Sequence, residues 1–203
     1  MSTILDAFDT PIHDSQQCFR LVLDALSRPG TVKHLPFPPA FGALSSAATQ
    51  ILLTLADQAT RIYLPQQHAS NDIIVQNLKF HAGCSVTTQR NEADFGVVSG
   101  SADETFEGFM FGDESYPDRS TTLLIEVSDF TSGRVFNMEG PGIKTRNEVV
   151  IGGLSESVAS ALVNQRGNFP LGLDLILTAG SQAMAIPRSV KLSQSSEGVC
   201  TSQ

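Results

Sequence analysis

The sequence predicts an α/β domain of three layers, with helices covering both faces of a mixed β-sheet. Helical stretches alternate with short strand-like runs along the chain, and Thr121–Val127 is apolar enough to be buried on both faces of a sheet. Near the end, Asp174–Thr178 and Gln182–Ile186 flank the turn Ala179-Gly180-Ser181, which is typical of a β-hairpin. A hairpin pairs its strands antiparallel, so we expect a sheet that is not purely parallel.

Three helices are predicted in the first half of the chain. The first spans Asp14–Ser27, where Phe19, Val22, Leu23 and Leu26 recur at helical spacing. Asp14 is its expected N-cap, and Pro29-Gly30 ends it. The other two are Ser46–Ala56, with Ala48, Ile51, Leu52 and Leu55 inward, and Asn71–His81, with Ile74, Leu78 and Phe80 inward.

Short strands and one further helix complete the prediction. The strands are expected at Arg61–Leu64, Ser85–Thr88, Phe95–Val98, Arg134–Met138 and Glu148–Ile151. The helix is expected at Ser155–Gln165, with Val158, Ala161 and Leu162 inward. The segment Ala102–Phe111 is ambiguous, because Phe106, Phe109 and Met110 have helical spacing among acidic residues.

Length and composition indicate a globular protein. The chain has 203 residues, of which 41% are hydrophobic and 17% charged. We place a single domain at residues 1–192 and a polar, Ser-rich tail at 193–203. The formal net charge of −8 argues against nucleic-acid binding, because an acidic surface repels phosphate backbones.

The sequence also favours a cytoplasmic location. Residues 1–10 lack the basic start and apolar core of a signal peptide, and no apolar run approaches the roughly 20 residues that cross a bilayer. Cys18, Cys84 and Cys200 are odd in number and widely spaced, which favours free thiols over disulfides or a zinc site.

Arginine-bearing turns are the main candidates for ligand or partner contacts. Arg28, Arg119 and Arg188 each follow or precede a proline-containing turn, and converging guanidinium groups suit a phosphorylated ligand or an acidic partner. Each also has a structural interpretation: Arg28 at a helix end, Arg119 paired with Asp118, and Arg188 in an ion pair at a strand end. His81 is either a reactive side chain or, at the end of its helix, a hydrogen-bond partner of backbone carbonyls.

Familiar catalytic signatures are absent from the sequence. There is no phosphate-binding Gly-rich loop, dinucleotide fingerprint or nucleophile elbow, and the four histidines are scattered. The carboxylates Asp113, Glu114 and Asp118 share one loop, where solvation is favoured over a metal site. We therefore expect no catalytic residue, no cofactor and no metal, which suits a partner subunit.

Several motifs in fixed order resemble the PhnH family of carbon–phosphorus lyase subunits. They extend from about Thr10 to Val190 and comprise Phe19-Arg20, Ala25-Leu26-Ser27-Arg28-Pro29-Gly30, Leu52-Leu53-Thr54-Leu55-Ala56-Asp57, Leu78-Lys79-Phe80-His81-Ala82-Gly83, Pro117-Asp118-Arg119-Ser120-Thr121-Thr122-Leu123, Gly140-Pro141-Gly142-Ile143, Phe169-Pro170-Leu171-Gly172-Leu173-Asp174 and Ala185-Ile186-Pro187-Arg188. The departures are small: Asp118 stands where the family has Glu, and Leu26 where it has Met.

The resemblance implies a fold similar to the large domain of pyridoxal-phosphate-dependent transferases, without the cofactor-binding residues. It also implies a homodimer in isolation and a larger complex with the PhnG, PhnI and PhnJ subunits. That machinery uses ATP to attach methylphosphonate to ribose triphosphate with loss of adenine. It implies no catalytic residue for this chain.

The sequence is also compatible with two other functions. One is a stand-alone pyridoxal-phosphate enzyme that uses Lys79 or Lys144, since a Schiff-base lysine needs an apolar pocket or a cationic neighbour. The other is a sensor that binds phosphonate or nucleotide through Arg28, Arg119 and Arg188. For partner contacts, the helix that carries Phe19 and the Phe106–Phe111 segment are the candidate surfaces.

Overall fold

The computed structural model describes residues 4–195 of the chain. Its helices are α1 Pro11–Ser27, α2 Ser46–Leu55, α3 Gln66–Ala69, α4 Asp72–Ala82 and α5 Glu156–Asn164. Its strands are β1 Lys33–His34, β2 Arg61–Tyr63, β3 Ser85–Thr87, β4 Phe95–Ser99, β5 Thr122–Glu126, β6 Arg134–Glu139, β7 Asn147–Ile151, β8 Asp174–Ala179, β9 Gln182–Ile186 and β10 Lys191–Gln194.

The main sheet has seven strands in the order β1-β9-β8-β5-β4-β2-β3. From β3 to β8 all neighbours are parallel, while β9 pairs antiparallel with β8 and β1 pairs antiparallel with β9. The predicted hairpin is therefore present, and the predicted mixed sheet is confirmed.

The central strand β5 contributes side chains to two hydrophobic cores, one on each face of the main sheet. Leu123 and Ile125 belong to the core on one face of the sheet, and Leu124 belongs to the core on the other face. Successive side chains of a strand point to opposite faces, so an apolar run can fill both. The prediction that this strand is buried on both sides is confirmed.

The two outer layers differ from each other, and this corrects the predicted α/β/α arrangement. Helices α1, α2 and α4 supply the core on one face. On the other face the core contains α5 together with a second, antiparallel sheet in the order β10-β6-β7. Strands β6 and β7 were expected among the strands of one sheet, but their buried residues Phe136, Met138, Val149 and Ile151 instead pack beneath it as a separate sheet.

Helix α1 begins earlier and faces differently than the sequence pattern suggested. It starts at Pro11 rather than at Asp14, and the Asp14 carboxylate accepts hydrogen bonds from the backbone N–H and hydroxyl of Thr10. Cys18 and Val22 face the core, whereas Phe19 and Leu23 are 43% and 48% exposed, so their predicted inward orientation is wrong. Apolar spacing alone does not distinguish a core face from a surface face.

The other helices follow the prediction more closely. Asn71 accepts from the backbone N–H groups of Ile73 and Ile74 at the start of α4, and Gly83 ends the helix in a left-handed conformation with φ of 70°. Ile74 and Leu78 are fully buried, but Phe80 is 67% exposed and does not face inward.

Residues 102–111 contain no regular helix. Phe106 and Phe109 are nevertheless buried in the core, so these two side chains are not part of a partner surface. Arg90 holds the segment in place, because its guanidinium donates to the carbonyls of Thr105 and Glu107 and stacks 5.0 Å from the Phe109 ring.

Strand β10 continues two residues past Leu192 and pairs with β6. Residues 196–203, including Cys200, lie outside the described part of the chain, so the division into domain and tail stays a prediction. Within residues 4–195, no helix has both the length and the apolar character that crossing a membrane would require.

Candidate functional site: a basic pocket between two turns

Two turns that are far apart in the sequence meet at one side of the molecule. The chain leaves α1 through Ser27-Arg28-Pro29-Gly30, and β6 is followed by Gly140-Pro141-Gly142. Gly142 has φ of 82°, and a side-chain carbon there would lie 2.6 Å from the Ser27 carbonyl oxygen. Only glycine fits both this conformation and this approach. Two of the motifs that carried the resemblance thus form one structural unit.

A cavity of about 340 Å³, here called the basic pocket, lies between these turns. Three cationic side chains line it: Arg28, Lys144 and Arg146. The rest of the lining is Pro29, Thr31, Gly142, Ile143, Thr145 and Asn147, so it contains no carboxylate. Asn147 joins the two walls, because its side-chain amide donates to the Pro29 carbonyl at 3.3 Å.

Arg28 takes the helix-end position that its structural interpretation predicts. Its Nε lies 3.2 Å from Asp24, one turn earlier on α1, and its side chain is 68% exposed. Asp24 also pairs with Lys33, which donates a hydrogen bond and, with the charge of Arg28, holds the pKa of Asp24 below its usual range. Arg28 therefore shares its one carboxylate with a second cation.

Arg146 and Lys144 have fewer internal partners. Arg146 Nε donates to the side-chain oxygen of the buried Asn137 at 2.7 Å. Among residues 4–195, neither Lys144 nor Arg146 forms an ion pair. The Arg146 guanidinium is thus held at one edge while its charge has no carboxylate partner in the described chain.

Arg188 lies elsewhere and is paired. Its Nε and Nη2 donate to Asp174 at 3.0 and 2.5 Å, and its Nη1 donates to the Pro117 carbonyl at 2.5 Å. These contacts tie the β9 end to β8 and to the loop that precedes β5. This is the ion pair at a strand end that its structural interpretation predicts.

A second cavity, of about 300 Å³, lies beside Arg188 and is here called the Arg166 cavity. It is lined by Val163, Arg166, Gly167, Asn168, Phe169, Arg188, Ser189, Val190, Lys191 and Leu192. Arg166 is only 7% exposed and donates to the carbonyls of Ile186, Pro187 and Val190 at 2.6–3.2 Å, while its Nε has no partner in the described chain. Burial lowers the pKa of Arg166 to about 10, and the charge of Asp174 opposes this shift.

Arg119 and the acidic loop lie on the surface. The Arg119 guanidinium stacks 3.9 Å from the Tyr116 ring, and Asp113 accepts from the backbone N–H groups of Ser115 and Tyr116. No cluster of three or more potential metal-binding side chains occurs among residues 4–195. Arg119 thus shares the loop that Arg188 contacts, but no described contact or cavity joins either residue to Arg28.

His81 anchors the start of the chain. Its Nε2 lies 2.9 Å from the Leu5 carbonyl, and its ring stacks on Phe41 with centroids 5.7 Å apart. One turn earlier on α4, Asn77 accepts from the Leu5 N–H at 2.7 Å. His81 therefore satisfies a carbonyl, as one interpretation expected, although the carbonyl belongs to a distant segment rather than to the end of its own helix.

The lysines weighed as Schiff-base candidates are both exposed. Lys79 lies on the surface of α4, and Lys144 lines the basic pocket, where its neighbours are polar and cationic. Neither has the enclosing apolar pocket that favours Schiff-base chemistry, and of the two only Lys144 meets the other condition, a cationic neighbour, in Arg28 and Arg146. Burial raises the pKa of Cys18 to about 11 and also raises that of Cys84, which makes both thiols poor nucleophiles.

The carboxyl ends of the parallel strands, where open α/β sheets usually bind ligands, are occupied by contacts within the chain. Glu126 at the end of β5 accepts from the Ser45 N–H at 2.6 Å, at the start of α2. Ser155, at the start of α5, donates to the carbonyls of Gly100 and Ala102. The basic pocket therefore lies away from the usual position.

Sequence reasoning singled out Arg28 but missed Arg146 and Arg166. Lys144 and Arg146 are close together after a glycine-rich turn in an acidic protein, and that local excess of positive charge was a usable signal. Nothing around Arg166 in the sequence distinguishes it from a surface arginine.

Comparison with known proteins identifies the family of this chain. The model of the family described as "Bacterial phosphonate metabolism protein (PhnH)" matches residues 6–193. The chain belongs to the PhnH family. This confirms the resemblance, and both turns that form the basic pocket lie within the matched part.

Two curated relatives resemble this PhnH-family chain over most of their length. One, from Rhizobium meliloti (strain 1021), is named alpha-D-ribose 1-methylphosphonate 5-triphosphate synthase subunit PhnH; it is 35% identical over 190 residues, which cover 92% of this chain and 94% of the relative. The other, HtxG of Stutzerimonas stutzeri, has a name that assigns it to C-P lyase as a subunit; it is 29% identical over 178 residues, covering 87% and 85%.

Proposed function

We propose that this chain is the PhnH-type subunit of a carbon–phosphorus lyase complex that makes ribose 1-methylphosphonate 5-triphosphate. The observation that carries the proposal is the similarity to the Rhizobium meliloti synthase subunit, at 35% identity over nearly the whole of both chains. A match of that extent covers both cores and both turns of the basic pocket, rather than one shared motif.

The reaction that the complex performs joins two substrates. The phosphonate oxygen replaces adenine at the ribose carbon of ATP, so a carbon–oxygen bond forms, the carbon–nitrogen bond breaks and adenine leaves. In this proposal the chain supports that transfer together with PhnG, PhnI and PhnJ, in the cytoplasm, and has no independent activity. One feature of the described residues that supports this assignment is the basic pocket, where Arg28, Lys144 and Arg146 could hold an anionic group.

A partner subunit needs an exposed contact surface, and α1 offers one. Ile12, Phe19 and Leu23 lie on one stripe of this helix and are 82%, 43% and 48% exposed. Apolar side chains exposed together in this way are typical of surfaces that become covered on assembly. We propose that this stripe contributes to the assembly, as a homodimer contact in the isolated chain or as a subunit contact in the complex.

The test is co-expression of the tagged chain with PhnG, PhnI and PhnJ, followed by affinity purification and mass spectrometry. We expect recovery of all four proteins in stable proportion. A Phe19→Ser/Leu23→Ser variant should lose partner recovery or the homodimer mass, whereas Phe80→Ser, at a 67% exposed position on α4, should behave as wild type. Recovery of the wild-type chain alone would contradict the proposal.

A further inference from the structure

The basic pocket concentrates positive charge on an acidic protein. Arg28, Lys144 and Arg146 line it without a carboxylate, and Lys33 lies next to it, where it shares Asp24 with Arg28. The carbonyl end of α1 adds roughly half a negative charge. The local balance is therefore positive, although the chain as a whole carries a formal charge of −8.

The nearest acidic neighbour in the sequence does not reverse this balance. Glu148 follows Asn147 directly, yet it lines a separate cleft with Phe130 and Met184. Successive residues of β7 point to opposite sides, so Asn147 faces the basic pocket and Glu148 faces away. Chain geometry thus keeps a carboxylate out of the lining.

The donors of the pocket are supplied by two opposite walls. Arg28 and Thr31 come from the turn after α1, and Lys144, Thr145 and Arg146 come from the loop between β6 and β7. Arg146 is fixed through its Nε by Asn137, so its outer edge is oriented rather than free to rotate. Planar guanidinium groups, an ammonium group and hydroxyls are the donors that phosphate oxygens accept from.

We propose that the basic pocket binds the phosphate chain of a polyphosphate ligand, such as the triphosphate of a nucleotide. In this proposal successive phosphates of the chain contact cations from both walls, Arg28 on one and Lys144 and Arg146 on the other. The volume of about 340 Å³ lies within the range of small-molecule sites, roughly 300–1,000 Å³. The inference deepens the proposed function and rests on it, because that reaction handles triphosphates.

The test measures binding to the purified full-length chain by calorimetry. The ligands are tripolyphosphate, ATP, adenosine, inorganic phosphate and methylphosphonate. We expect saturable heat with tripolyphosphate and ATP, weaker heat with the two single anions, none with adenosine, and an affinity that falls as salt is raised.

A charge-matched pair of variants locates the site. Lys144→Gln/Arg146→Gln removes one lysine and one arginine of the pocket, and Arg20→Gln/Lys79→Gln removes one of each from exposed positions on α1 and α4. We expect the pocket variant to weaken tripolyphosphate binding by about tenfold or more, and the control by less than about twofold. Circular dichroism and thermal unfolding of all variants establish that the fold is retained.

Other outcomes overturn the inference. Equal weakening in the two variants would show attraction to the overall charge rather than a site, and binding of adenosine would show recognition of the base. If the wild-type chain gives no heat with tripolyphosphate, while the pocket variant loses PhnG, PhnI or PhnJ on co-purification, the pocket contacts an acidic partner instead. If polyphosphate does not bind but PhnG, PhnI and PhnJ are still recovered, this inference fails and the proposed function stands. If polyphosphate binds but the partners are not recovered, the proposed function fails and the polyphosphate site stands.

Discussion

The basic pocket and the Arg166 cavity have similar volumes, about 340 and 300 Å³, and each is lined by three cationic side chains. Lys191 in the Arg166 cavity and Lys144 in the basic pocket are both exposed and form no ion pair among residues 4–195, so the difference lies in the arginines. In the Arg166 cavity, Arg166 donates to three backbone carbonyls and Arg188 pairs with Asp174. In the basic pocket, Lys144 and Arg146 have no ion-pair partner among residues 4–195.

This difference separates cations that hold the fold from cations that remain available. A buried guanidinium is costly unless its donors are used, so Arg166 gains stability only through the carbonyls around it. An exposed cation carries little desolvation cost and needs no internal partner. Substitutions should therefore affect stability at one site and binding at the other.

Replacement of Arg166 should have the largest effect. Arg166→Met removes the guanidinium donor from the carbonyls of Ile186, Pro187 and Val190, although Pro187 still accepts from the Val190 N–H at 3.0 Å. We expect the free energy of unfolding to fall by about 2–4 kcal/mol. Denaturant unfolding measures this. Lys144→Met is the control, because Lys144 is exposed and forms no ion pair among residues 4–195, and it should change stability by less than about 0.5 kcal/mol. Equal effects at the two positions would contradict the distinction.

The ion pairs of the two sites should also differ in how much each contributes to stability. A double-mutant cycle with Arg188→Ala and Asp174→Ala should give a coupling free energy of about 1–2 kcal/mol, since these side chains are only 16% and 24% exposed. The same cycle on Arg28 and Asp24, at 68% and 34% exposed, should give less than about 0.5 kcal/mol. A stronger coupling at Arg28 would make it part of the structural framework.

A substitution at Gly142 tests whether the basic pocket needs the close approach of its two turns. Gly142→Ala places a methyl group 2.6 Å from the Ser27 carbonyl oxygen at a φ of 82°, so we expect a loss of about 1–2 kcal/mol and weaker polyphosphate binding. Gly180→Ala is the control, because Gly180 also has positive φ but open space around its added carbon. Stability losses of the same size in both would assign the whole effect to backbone conformation.

The smallest stability effect is expected at the cations of the basic pocket themselves. Lys144→Gln/Arg146→Gln should lower the free energy of unfolding by about 1 kcal/mol or less, because both side chains are exposed and the variant loses one hydrogen bond, from Arg146 to Asn137. Thermal unfolding checks this at low and at high salt. A clear destabilisation would mean that these cations, like Arg166, have a structural role.

Periodicity in the sequence predicted most elements but not their faces. The capped helix α4 and the buried strand β5 appear where Asn71, Gly83 and the apolar run of β5 indicate, because caps and strand preference act locally. The orientation of Phe19 and Phe80 was wrong, since an apolar stripe looks the same whether it is covered by the core or left exposed. Strands β1 and β10 were missed, because they are short and form only by pairing with β9 and β6.

For the candidate site, the sequence supplied Arg28 and the turns but not their neighbours. The positions of Arg188 and His81 agree with structural roles that were foreseen, although the partners Pro117 and Leu5 were not. Arg146 and Arg166 escaped notice, because the value of an arginine depends on what surrounds it in three dimensions.

By itself, the amino-acid sequence determined the α/β class, the hairpin, the caps of α4 and, through its ordered motifs, the PhnH family. Only the tertiary structure decided that the small sheet forms a layer of its own, that two distant turns enclose one basic pocket, and that Arg166 and Arg188 are used internally. The reason is physical: backbone preference and burial pattern act within a few residues, whereas charge balance and cavity shape arise from segments that meet only after folding.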